Sequence, residues 1–134
     1  MSDNPGHVLA SAVAAEIVKF RSLQGDLQAI RQDLSTVMAQ ETENEMVLLE
    51  LEWMTEHQKD GNTSNNHVYK QLGPVLVRQD LTEATQTVQK RLEFIRSEKQ
   101  RLEKKASDTE NSGNALAQKI HQKQAGLQQT TAAA

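Results

Sequence analysis

The sequence predicts a mainly α fold: a long antiparallel two-helix coiled coil with a central β-hairpin. Three observations predict it. Apolar residues recur in heptads on both sides of the middle of the chain, a Val-rich segment broken by Gly73-Pro74 lies between them, and aromatic residues are scarce. Of the 134 residues, 37% are hydrophobic and 25% charged, but only 3% are aromatic. Aromatic rings supply much of the burial of a globular core. Four of them (Phe20, Trp53, Tyr69 and Phe94) suit a thin seam better than a rounded interior. A mean hydropathy of -0.66 places most side chains in water.

The first helix is predicted over residues 7–58. Its seam places Phe20, Leu27, Leu34, Glu41 and Leu48 at position a, and Leu23, Ile30, Val37, Asn44 and Leu51 at position d. Both polar exceptions fall in one heptad, and the register resumes after them without a slip. Val13 extends the seam upstream, and Glu16 interrupts it at the next d position. Residues Asp60 to Asn66 (DGNTSNN) have the composition of a loop. A hairpin is predicted over 67–79, where Val and Tyr favour strands and Gly73-Pro74 punctuates them.

Asp80 and Glu83 stand three apart, as in a capping box, and open a second helix predicted over 81–126. Leu81, Val88, Ile95, Leu102, Thr109 and Leu116 form one row of its seam. Thr85, Leu92, Lys99, Ala106, Gly113 and Ile120 form the other. Residues 127–134 are expected to be a frayed tail, and residues 1–134 a single domain. Neither seam can bury itself alone, so the helices fold back on each other. Facing residues then sum to roughly 139, within the usual boundary error. That rule sets Gly25 near Gly113, Glu41 near Lys99, Asn44 near Ile95 and Thr109 near Ile30. Glu41 and Lys99 are expected to reach past the seam to solvent. Phe20 and Phe94 are expected near the seams.

A lone two-stranded hairpin is marginal in water and presents unpaired edges. Apolar residues fall on both alternating faces of Val75-Leu76-Val77. The physical inference is oligomerisation, with hairpins from several chains completing a larger sheet or barrel.

The run from His67 to Ile95 resembles the β-class subunits of the prefoldin family. Val68, Tyr69, Leu72-Gly73-Pro74-Val75-Leu76-Val77, Gln79-Asp80-Leu81 and Lys90-Arg91-Leu92 carry the resemblance. The sequence departs from the family's pattern in a longer polar loop at 60–66, in Gln71 at a position often aliphatic, and in Trp53. The resemblance implies a heterohexamer of two α-class and four β-class subunits, assembled through hairpins into a double β-barrel. Val68, Tyr69, Leu72, Gly73, Pro74, Val75, Leu76 and Val77 would form the oligomerisation hairpin. It further implies an ATP-independent, cytoplasmic co-chaperone whose tips hold unfolded polypeptides, notably actin and tubulin, and deliver them to the cytosolic chaperonin. By the pairing rule Val8, Leu9, Val13, Leu116, Ile120 and Leu127 lie at those tips, where a frayed end exposes apolar groups to clients. The competing class is a structural coiled-coil adaptor of another complex.

Other functions find no support in the residues. The chain carries 15 basic and 18 acidic residues, a net charge of -3, which argues against nucleic acid and acidic membrane surfaces as partners. No cysteine is present, so disulfides, thiol catalysis and cysteine-based metal sites are excluded. No stretch approaches a membrane span, and Val8 to Val18 lacks the basic flank of a signal peptide. His7, His57, His67 and His121 show no metal-ligand spacing. No Gly-rich phosphate loop occurs. The carboxylates pair with bases at helical spacing, and Arg96, Lys99, Arg101, Lys104 and Lys105 are interleaved with Glu98 and Glu103 as on a solvated helix face. No cofactor, metal or catalytic residue is expected, and no enzyme, because a two-helix arm offers no enclosed pocket.

Overall fold

A computed structural model of the chain describes residues 4–58 and 67–132. The loop expected at Asp60–Asn66 lies outside the described residues. Four elements follow in order: α1 (Pro5–Gln58), β1 (Val68–Leu72), β2 (Val75–Gln79) and α2 (Leu81–Ala132).

Helix α1 starts two residues before the expected position, for a local reason. Asn4 caps it: its side-chain Oδ1 accepts the Gly6 amide at 3.1 Å, and its carbonyl accepts the His7 and Val8 amides at 2.9 and 3.1 Å. Pro5 fills the first helical position, where no amide hydrogen is needed. Helix α2 opens with the Ala84 amide donating to the Asp80 carbonyl at 2.9 Å, and Glu83 lies in its first turn, where the helix dipole favours an anion. It runs through residue 132, past the point where the frayed tail was expected. Leu127 packs on the apolar cluster of this helix and holds the extra turns down.

Strands β1 and β2 pair antiparallel, Val68 opposite Gln79 through Leu72 opposite Val75. That register leaves a two-residue turn. Gly73 has φ of +60° and Pro74 does not, so the left-handed residue is the first of the two. This is the pattern of a type II′ turn, whose twist matches that of the strands and which places Gly first. Proline at the second position supplies the negative φ that the turn needs there.

The chain divides into two compact units: residues 1–34 with 102–134, and residues 35–101. In each, α1 and α2 run antiparallel. In the second unit Leu51, Leu81, Ala84, Val88 and Leu92 form the core, with Leu48, Met54 and Val68 packed on it. In the first unit Val13, Leu116 and Ile120 form the core, with Ile17, Phe20, Leu23 and Leu127 against it. Every seam position named above is buried or partly buried, on both helices. Three of the polar members, Asn44, Thr85 and Thr109, are satisfied within their own helix. Asn44 Nδ2 donates to the Gln40 carbonyl at 2.7 Å, Thr85 Oγ1 to Leu81 at 2.9 Å, and Thr109 Oγ1 to Lys105 at 2.8 Å. A polar side chain can occupy a seam when its own helix provides the acceptor one turn back.

Three expectations need correction. Glu41 and Lys99 do not reach to solvent: Lys99 Nζ donates to Glu41 Oε1 at 2.9 Å, with the side chains only 26% and 15% exposed. Seam positions leave no easy route outward, so the charges meet each other. Phe94 is 71% exposed and stands away from the seam, because it follows the seam residue Leu92 by only two positions. Gly25 is exposed, and a Cβ there would meet nothing within 4 Å. Gly113 is covered by Phe20, whose ring lies 3.9 Å from where its Cβ would be.

Candidate functional site

Two groups of residues are candidates for function, one in each unit. The first is the hairpin. Val68 is the anchor: it is partly buried and packs against the Leu51/Leu81 core. Beyond it the strands leave the helices. Tyr69, Leu72, Val75, Leu76 and Val77 are all exposed. Residues opposite each other in an antiparallel pair share a face. Leu72, Val75 and Val77 therefore lie on one face, and Tyr69 and Leu76 on the other. Neither face of the outer hairpin is covered. His67 sets its ring edge-on to Tyr69 at 6.5 Å, which steadies the base of the strand. A gap between hairpin and helices is lined by Val47, Leu51, Val68, Tyr69, Ala84 and Val88. Burying a side chain such as Leu or Val contributes roughly 1.5–3 kcal/mol. Five large apolar side chains left in water on ten residues of strand mark a surface that gains by being covered.

The second group lies in the first unit. Val13, Leu116 and Ile120 are buried, Leu9 and Leu127 are partly buried, and Val8 is exposed. Leu9 approaches Gly126, at 3.7 Å from where its Cβ would be. The expected tip residues are thus brought together, but most of them face one another rather than solvent. Glu16 sits among them. Lys123 Nζ donates to its Oε1, while its Oε2 is buried without a hydrogen-bond partner among the described residues. Lys123 was missed by the sequence reading. The pairing sum would have found it, since 16 and 123 add to 139. A groove in this unit is lined by Phe20, Leu23, Leu27, Thr109 and Gly113.

Ion pairs also cross between helices in the second unit. Arg96 lies 3.8 Å from Glu41 and 3.2 Å from Glu45. Among the described residues no group of three His, Cys, Asp or Glu could hold a metal ion, and no described helix is long and apolar enough to cross a membrane. The geometry therefore offers apolar surface and paired charges, which serve recognition by contact.

The comparisons with known proteins agree with that chemistry. A sequence model of the family described as "Prefoldin subunit" matches residues 14–127. The chain is 36% identical to prefoldin subunit 6 of Mus musculus, over 94% of this chain and 93% of that one. It is 37% identical to the probable prefoldin subunit 6 of Caenorhabditis elegans, over 90% and 94%. It is 38% identical to prefoldin subunit 6 of Arabidopsis thaliana, over 81% and 88%. In structure it is similar to the prefoldin beta subunit from Thermococcus strain KS-1, with a TM-score of 0.71, 22% identity, and coverage of 83% of this chain and 90% of that one. That likeness concerns the fold.

Proposed function

The chain belongs to the prefoldin family, and from that premise we propose that it works as a β-class subunit of a heterohexameric, ATP-independent co-chaperone in the cytoplasm. The observation that carries the proposal is the hairpin: Leu72, Val75, Leu76 and Val77 exposed on both faces of a two-stranded sheet whose edges are free among the described residues. Other prefoldin subunits of the α and β classes are the partners that cover it, strand to strand, and Pro74 lies in the turn, where its missing amide costs no ladder hydrogen bond. Unfolded polypeptides are the clients, actin and tubulin among them, to be delivered to the cytosolic chaperonin. They are held at Val8, Leu9, Val13, Leu116, Ile120 and Leu127. Val8 offers its side chain directly. The others are reached when the helix ends part, an opening helped by the unpartnered Glu16 Oε2.

Mixing the chain with its α- and β-class partners and weighing the product by native mass spectrometry tests the assembly. A six-subunit particle is expected, and a chain that stays alone overturns the reading. Removing residues 1–17 and 117–134 is expected to abolish suppression of client aggregation and to spare the particle. A complete particle with no effect on any client, held through its hairpin to another scaffold, would make the chain an adaptor.

A further inference from the structure

Helix α1 carries a second apolar face that neither the seam nor the hairpin uses. Met46, Leu49 and Trp53 are all exposed, Leu49 at 66%. Spaced at i, i+3 and i+7, they form one stripe, turned away from the seam positions Leu48 and Leu51. A helix apolar on two sides has two surfaces to cover. His57 stacks its ring on Trp53 at 3.9 Å; apart from it, the charge around this stripe is one-sided. From residue 32 to residue 58 the chain has seven carboxylates and no Lys or Arg. Among the described residues only Glu41 and Glu45 of this stretch meet a cation on α2. Glu50 lies one turn from both Met46 and Trp53, and Glu56 lies one turn beyond Trp53; both are exposed. The apolar stripe is therefore rimmed by carboxylates.

We propose that this face of α1 binds a basic amphipathic helix of a partner protein. The partner's apolar side packs on Met46, Leu49 and Trp53, and its Lys or Arg residues pair with Glu50 and Glu56. Charge complementarity selects the partner: an acidic helix would meet like charges, and an uncharged one would leave the carboxylates without their pairing.

Trp53 is the only tryptophan and reports on its own stripe. The full-length chain is titrated with a synthetic amphipathic helix of Leu and Lys, and separately with its Leu/Glu counterpart, while Trp53 emission is followed. A saturable blue shift is expected with the Leu/Lys peptide and none with the Leu/Glu peptide. The double substitution Met46→Gln with Leu49→Gln is expected to abolish the shift. Glu50→Gln with Glu56→Gln is expected to weaken binding roughly tenfold while leaving the apolar surface intact. Raised salt weakens it in the same direction. All these positions are exposed, so helical content by circular dichroism is expected to stay unchanged. Equal shifts with both peptides, a shift indifferent to the carboxylate substitutions, or a shift that follows protein concentration without peptide would overturn the proposal. The last would mean that second copies of the chain cover the stripe. None of these outcomes depends on whether the chain joins a six-subunit particle.

Discussion

Residues 35–101 and the paired helix ends outside them solve the same problem with different completeness. In the former, Leu92 is 1% exposed, and the seam acid Glu41 meets both Lys99 and Arg96. In the latter, Leu116 and Ile120 remain 9% exposed, and the seam acid Glu16 meets Lys123 with one oxygen only. A largely buried carboxylate with two cations is well compensated, whereas an orphaned buried oxygen carries an unmet desolvation cost. One unit closes its seam carboxylate with two cations, and the other leaves an oxygen without a partner among the described residues.

The sharpest way to break this comparison is to cut both cores. Leu92→Ala is expected to cost about 3–5 kcal/mol in chemical denaturation, the upper part of the range for buried leucines, and Leu116→Ala about 2–3 kcal/mol. Equal losses would remove the distinction. Lys123→Met comes next. It strips Glu16 of its cation and is expected to cost about 1–3 kcal/mol and to speed hydrogen exchange near Val13 and Ile120. Lys99→Met is expected to cost less, because Arg96 still faces Glu41. A larger loss at Lys99 would reverse the ranking of the two closures.

Gly73→Ala follows, at about 1 kcal/mol. The new Cβ meets nothing within 4 Å, so only the left-handed φ is charged for. Its effect is expected in the assembly of the particle and not in helical content by circular dichroism. Smallest is Arg101→Ala. Its guanidinium holds the Glu98 carboxyl below the usual carboxylate range through a side-chain hydrogen bond, but the pair lies at the surface, with more than half of Arg101 in solvent. A carboxyl with a depressed folded value favours the folded state at neutral pH and loses that preference as acid titrates it. Water screens this pair, so no measurable change in denaturation at neutral pH is expected, and the difference from wild type between pH 3 and 7 should be flat.

The heptad rows were legible because burial in a two-helix seam depends almost wholly on period. Phe20, Leu27, Ile30, Leu92 and Leu102 each lie inward where a spacing of seven puts them. The pairing sum also brought Glu41 to Lys99. What escaped was whatever depends on the far side of a helix. Phe94 and Trp53 look like core residues by type, yet neither occupies a seam position, and both lie in solvent. The exposure of residues near the helix ends was not legible, because only the packing of both helices decides that Val8 stays out while Val13 goes in. The turn type depended on which of Gly73 and Pro74 takes the positive φ, and the register of the strands settles it.

The hairpin has a consequence for how many neighbours the chain can hold. A two-stranded sheet has a free edge on each strand, so β1 and β2 can each accept one further strand. In pairing terms the chain is divalent. Divalent units join into rings or into endless threads, and nothing within the hairpin chooses between them. In the proposed heterohexamer, closure comes from neighbours whose curvature brings the last edge to the first. Such a ring would limit growth: expressed without those neighbours, the hairpin keeps two open edges among the described residues.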